Sequence, residues 1–183
     1  MKLNRFTAVA VAALVSAVAI PAMAQVMVGG APMYSNKDII DNAVNSKDHT
    51  TLVAAVKAAG LVQTLKGPGP FTVFAPTNAA FAALPAGTVD NLLKPENKPA
   101  LTKVLTYHVV AGKMDSATLA KAIDAGGGKA TLTEVSGGTL TATKSGSMIM
   151  LSDESGGMAH VTIPDVVQSN GVIHVVDKVL LPK

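Results

Sequence analysis

The chain has 183 residues, with 15 Lys+Arg against 12 Asp+Glu, no cysteine and no tryptophan. This excludes disulfides, thiolate metal sites and a cysteine nucleophile, and it leaves a length suited to one domain held together by packing. Part of the positive excess sits in the first residues. Lys2 and Arg5 precede an apolar run from Ala8 to Ile20, which Pro21 breaks before Ala22-Met23-Ala24. That is the pattern of a secretory signal peptide over residues 1–24, with cleavage expected after Ala24. The run is too short to span a bilayer comfortably, and without cysteine no lipoprotein anchor is expected, so the expectation is that no stable membrane anchor is retained. Residues 25–183 keep thirteen lysines against twelve acidic residues and no arginine, because Arg5 is the only one. A nearly neutral chain lacking the guanidinium fork is a poor partner for nucleic acid.

Residues 25–35 are glycine-containing and irregular, and are expected to be a flexible lead-in. From Ser35 the pattern becomes helical: Ser35 or Asn36 is the expected cap, with Ile39, Ile40, Ala43 and Val44 on one face. A second helix is predicted over Thr50–Ala59, stopped by Gly60. Leu61, Val62 and Leu65 lead to Lys66-Gly67-Pro68-Gly69-Pro70, which must turn sharply. Phe71–Ala75 reads as a strand ended by Pro76, with Thr77 capping a short helix that carries Phe81 inward. Thr88 is expected to cap a further turn. Asn97 opens a longer helix with Pro99 in its first turn and Leu101, Val104 and Leu105 facing inward. Ser116 is expected to cap the last helix, which Gly126-Gly127-Gly128 terminates.

Beyond the glycine triplet the pattern changes to strands. Lys129–Val135, Thr139–Lys144, Met148–Asp153 and Met158–Ile163 are separated by Gly/Ser clusters and predict three successive hairpins. Pro164–Ser169 reads as a connection and Asn170-Gly171 as a tight turn with positive φ. Val172–Leu181 is apolar on both faces and is predicted to be a central strand. Helices followed by strands indicate an α+β fold.

Three segments in register resemble the signatures of fasciclin domains. They are Phe71-Thr72-Val73-Phe74-Ala75-Pro76-Thr77-Asn78-Ala79-Ala80-Phe81, then Leu105-Thr106-Tyr107-His108-Val109-Val110, then Asn170 through Pro182. The resemblance spans about 36–182, so residues 36–183 are taken as one fasciclin-like domain. It implies a wedge-shaped β-sandwich of two sheets with several flanking helices, and adhesion to a cell-surface or matrix protein as the usual role. In animal relatives a Pro-Asp-Ile segment precedes the closing signature and is linked to receptor binding. Pro164, Asp165 and Val166 stand there in this chain, with valine for isoleucine. Their structural alternative is a strand stop at Pro164 and a turn cap at Asp165. Tyr107 and His108 are open to two readings: core residues satisfying buried backbone, or contributors to adhesion. His174 lies in an apolar strand and is expected to be a core histidine hydrogen-bonded to nearby backbone. Pro76, Thr77, Phe81, Asn170 and Gly171 are structural by the same reasoning.

The residues do not form a catalytic constellation. There is no nucleophile elbow, and Gly67-Pro68-Gly69-Pro70 lacks the N–H donors of a phosphate loop. His49, His108, His160 and His174 are scattered without an i, i+4 pair. The expectation is an exported periplasmic or cell-surface adhesion module, not an enzyme, with no cofactor or metal and at most weak self-association. The alternative is a periplasmic small-molecule or metal-binding protein, for which Met27, Met33, Met148, Met150 and Met158 with His160 would be soft Cu(I) ligands. Methionines at alternate strand positions also serve as plain filler.

Overall fold

A computed structural model describes residues 25–183; the predicted leader, 1–24, lies outside the described residues. The segment expected to be a flexible lead-in is instead a small hairpin, β1 (Met27–Val28) and β2 (Ala31–Pro32). It is tied down because Val28 and Met33 are buried among the helices and the Met33 N–H donates to the Val26 carbonyl.

Helices α1 (Ile39–Ala43), α2 (Thr50–Ala59) and α3 (Val62–Lys66) follow, with a 3-10 turn over Lys47–His49. Asp38 caps α1 through the Asp41 N–H, in place of Ser35 or Asn36. Its carboxylate is close enough to Lys66 on α3 to form an ion pair as well, which neither earlier residue has the charge to do. Gly60 ends α2 with φ 75°, as the glycine stop requires.

Strand β3 (Phe71–Pro76) runs into α4 (Asn78–Ala82), and the Thr77 side chain accepts from the Ala80 N–H. Thr77→Ala should therefore cost about 1 kcal/mol and lower the melting midpoint by roughly 3 °C. An unchanged midpoint in calorimetry would show that the cap contributes nothing.

Helix α5 (Thr88–Leu92) is entered through left-handed Gly87, with no side-chain cap from Thr88. Helix α6 (Lys98–Tyr107) follows a second 3-10 turn and buries Leu101, Val104 and Leu105. Asn97 stands at its N-cap position as expected, although its side chain makes no capping hydrogen bond and donates to the Asn91 carbonyl. After β4 (Val109–Ala111) comes α7 (Ser116–Ala125), capped by Asp115 rather than Ser116.

Strands β5 (Lys129–Thr133), β6 (Thr139–Ser145), β7 (Met148–Ser152), β8 (Met158–Gln168) and β9 (Gly171–Val176) complete the fold. The three predicted hairpins are present as antiparallel pairs β5–β6, β6–β7 and β7–β8. The strand order is β4-β3-β9-β8-β7-β6-β5. Strand β9 is central, parallel to β3 and antiparallel to β8, and buried at every position. It ends at Val176, earlier than the apolar pattern suggests.

The two halves of the sheet share β8. Its first residues, Met158–His160, pair with β7, and Val161–Gln168 pair with β9. The expected connection from Pro164 is thus the bulged half of a long strand, with register shifts on both sides of Ile163. A bridge between Val110 and Glu134 joins β4 to the end of β5 and curls the sheet onto itself. One core fills the inside of this curl, around Phe74, Tyr107, Leu119, Leu140, Leu151 and Val176; the other lies between the sheet and α1, α2 and α6.

The turn before β9 is not built on positive φ. Among the described residues Asp165 alone of the non-glycines has positive φ, and Gly171 is not among the positive-φ glycines. Asn170 works as a tether instead. Its Oδ1 accepts from the Ile39 N–H (3.1 Å), and its Nδ2 donates to the Leu65 (2.6 Å) and Gly67 (3.1 Å) carbonyls. One side chain thereby ties α1 and α3 to the sheet.

Candidate functional site

The β8 bulge carries Pro164, Asp165 and Val166, the segment singled out by the family resemblance. Pro164 and Val167 are exposed, Asp165 is half-buried and Val166 is buried. Asp165 takes φ 58°, a left-handed conformation uncommon for residues other than glycine and, less often, asparagine and aspartate. Three hydrogen bonds hold it there. Its N–H donates to His174 Nδ1 (3.3 Å), one carboxylate oxygen accepts from the Ser116 N–H (2.6 Å), and the other accepts from the Ser116 hydroxyl. The carboxylate thus joins Asp115 at the start of α7, where unsatisfied N–H groups and the helix dipole favour a negative charge. Ser116, the expected cap, is instead the partner of Asp165, a relation between residues 49 positions apart that local pattern does not carry.

Beside the bulge lies an open groove of about 590 Å³, lined by Gln25, Val26, Tyr34, Asn36, Asp165 and Val167 among others. Lys37 Nζ sits 4.9 Å from the centroid of the Tyr34 ring at the same end of the molecule, a cation–π contact. The groove exists because the β1–β2 hairpin packs against the domain, and a flexible 25–35 segment would not form it.

His174 anchors the bulge from inside. Its Nδ1 accepts from Asp165, which places the proton on Nε2, and Nε2 donates to the Met114 carbonyl (2.8 Å). The ring stacks on Phe74 at 5.6 Å. Burial lowers its pKa below the usual histidine value, against the opposing pull of the Met114 carbonyl and Asp165. His108 is held in the same manner: Nδ1 donates to the Val104 carbonyl (2.8 Å) and Nε2 accepts from the Leu180 N–H (3.0 Å). Burial brings its pKa down to about 4. The Tyr107 hydroxyl donates to the Thr139 carbonyl (2.8 Å) and accepts from the Glu154 N–H (3.1 Å). Burial pushes this phenol up to about 12. Tyr107 and His108 therefore lie inside the domain, and the structure does not bring them to the Asp165 groove. Of the two readings of Tyr107 and His108, their placement matches the core one: every polar side-chain atom of both is hydrogen-bonded to backbone.

Among the described residues one further close pair of buried polar side chains stands out. Ser46 Oγ and His49 Nδ1 are 2.9 Å apart, and both residues are buried and border an apolar cavity of about 40 Å³ under the helices. That volume holds about one or two water molecules. The nearby Ala75 carbonyl favours His49 protonation, while His49 Nε2 makes no hydrogen bond among the described residues. Burial outweighs this and lowers the His49 pKa. No group of three or more His, Cys, Asp or Glu side chains is placed to hold a metal among the described residues. No described helix is long and apolar enough to cross a membrane.

An α+β domain with a curled mixed sheet, a bulged penultimate strand and a buried histidine behind the bulge is the class this geometry defines. The fasciclin-domain family model matches residues 47–182, and the chain belongs to that family. It is 48% identical over 157 residues to protein sll1483 of Synechocystis, covering 85% of this chain and 79% of that one. It is 36% identical to immunogenic protein MPB70 of Mycobacterium bovis, over 97% of this chain and 93% of that one. The transforming growth factor-beta-induced protein ig-h3 of the pig is 39% identical over 79% of this chain, which spans 19% of that larger protein. The fold is similar to a FAS1 domain pair from the insect cell adhesion molecule Fasciclin I, with a TM-score of 0.69 and 17% identity over 79% of this chain and 51% of that one.

Proposed function

We propose that this chain is an exported, non-catalytic adhesion module that binds a cell-surface or matrix protein through the groove beside Pro164, Asp165 and Val167. The observation that carries the reading is the 590 Å³ groove opening on the bulge that the family resemblance marks. Val167, exposed at 38%, gives that wall an apolar contact, while Pro164 stiffens the backbone next to it. Asp165 acts mainly by holding the bulge, since both its oxygens are engaged by Ser116. A relative supports an outside location: MPB83 of Mycobacterium bovis is described as a cell surface glycolipoprotein. A single groove on a single domain gives modest affinity that rises when copies cluster on a surface.

The test is adhesion by cells lacking the protein, complemented with wild type, Val167→Glu or Asp165→Asn. Val167→Glu places a charge on the apolar wall and should reduce adhesion several-fold while changing stability by no more than about 0.5 kcal/mol. Asp165→Asn retains an acceptor for Ser116 and should adhere normally if it folds. Undiminished adhesion by folded Val167→Glu removes the groove from the proposal. Undiminished adhesion by cells without the protein removes the adhesive role itself.

A further inference from the structure

The outward faces of the curled strands are not uniform. On β5 and β6 they carry Thr131, Thr133, Thr141 and Thr143, the polar residues expected on a solvated sheet face. The neighbouring outward positions of β7 and β8 carry Met148, Met150, Met158 and His160 instead. Met148 and Met158 are 50% and 45% exposed, so these thioethers are not filling a core.

Register brings the four together. Met150 lies directly opposite His160, and Ser152 opposite Met158. Met158 is therefore two residues from His160 on the same face, and Met148 is two from Met150, diagonal to His160. The His160 N–H donates to Asp177 Oδ1 (2.7 Å) and its carbonyl accepts from the Asp177 N–H (3.2 Å). Both backbone groups of His160 thus point away from β7. That makes Met150–His160 a non-hydrogen-bonded pair, the kind whose side chains approach most closely.

Asp177 also orients the imidazole. Its Oδ2 is 2.9 Å from His160 Nδ1, which places a proton on Nδ1 and leaves Nε2 as a lone-pair donor with no hydrogen bond within the described residues. A carboxylate holding the far nitrogen of a histidine is the outer-shell arrangement of metal-ligating imidazoles. Three neutral thioethers and one imidazole suit a soft monovalent cation and give little to a hard divalent one.

We propose that Met148, Met150, Met158 and His160 form a surface site for a soft monovalent cation, Cu(I) or its redox-inert analogue Ag(I). Met27 and Met33 are not part of it. Met27 lies in the N-terminal hairpin and Met33 is buried under the helices. The site lies on β7 and the first residues of β8 and shares no residue with the groove lining, so its test is separate from that of adhesion.

The test is a titration of the protein, labelled with 13C at its methionine methyls, with silver nitrate in chloride-free buffer. The methyls of Met148, Met150 and Met158 should shift and saturate at one silver per chain, with those of Met27, Met33 and Met114 unmoved. Met150→Leu keeps size and hydrophobicity but removes the sulfur, and should weaken silver binding at least about tenfold. Asp177→Asn should weaken it by a similar factor through the loosened imidazole. Cu(I) competition against bicinchoninate should give the same order of variants. Shifts that spread equally to exposed Met27, or Met150→Leu binding silver as tightly as wild type, overturn the proposal.

Discussion

A Gly171→Ala variant is expected to lose about 3 kcal/mol or more, enough to leave the domain largely unfolded at moderate urea. Gly171 pairs with Phe71 where β9 meets β3, and a Cβ built on it would stand 2.1 Å from the Phe71 carbonyl oxygen and 3.0 Å from its carbon. The obstructing atoms are backbone in the centre of the sheet. They cannot withdraw without parting the parallel β3–β9 pair, on which both cores rest. Gly146 is the matched comparison: it has φ 61° but nothing within 4 Å of an added Cβ. Gly146→Ala should cost only backbone strain, on the order of 1 kcal/mol. Urea midpoints for the two variants decide the matter. Equal losses would mean that close approach at Gly171 is not what selects glycine there.

Acid should destabilise the protein well above the range in which ordinary carboxylates titrate. His108, His49 and His174 are buried and their pKa values are lowered, His108 from 6.5 to about 4. The unfolded chain therefore binds protons first. Stability is fully present above about pH 6.5 and is lost as pH falls toward 4. His108 alone accounts for about 3 kcal/mol of that loss, since each tenfold drop in proton affinity on folding corresponds to about 1.4 kcal/mol. Glu134 acts in the opposite direction. Burial raises its carboxyl to about 7, with Glu154 adding to the effect and the Ser136 hydroxyl opposing it. Its neutral form is favoured in the folded protein, so it contributes stability that grows as pH falls from 7 to 4.5 and partly masks the histidines. Glu134→Gln removes the mask. Between pH 6.5 and 4.5 this variant should lose stability more steeply than wild type, and above pH 7 it should be the more stable of the two. Asp38, Asp115 and Asp177, whose pKa values are lowered, contribute losses only below about pH 4, outside this window. Urea titrations at several pH values measure both slopes. A Glu134→Gln variant whose stability stays flat from pH 6.5 to 4.5 would show that the histidines are not held neutral. His174→Ala should separately cost about 3 kcal/mol at neutral pH by leaving a cavity and unpairing Met114 and Asp165. Chelators should not alter it.

Local chemistry controls the features that are legible in the amino-acid order. Prolines stand at both ends of β3, Thr77 caps the helix after it, Gly60 stops α2, and alternation with Gly/Ser breaks gives the hairpins. These signals act within a few residues, so they survive in any tertiary context. The three family signatures are legible for the same reason. So is the central position of β9, whose apolar residues on both faces have no other place to go. The choice among competing caps comes from packing, because Asp38 and Asp115 win through partners and geometry that Ser35 and Ser116 do not share. Packing also turns Tyr107 and His108 inward, spends Asp165 on Ser116, and makes Asn170 a tether and Gly171 a point of close approach. The bulge in β8 and the pairing of Met150 with His160 depend on register. Register is set by strands far apart in sequence, and a shift of one residue exchanges the buried and solvent faces of a strand. Composition and spacing are the same in either register; only the packed sheet distinguishes them.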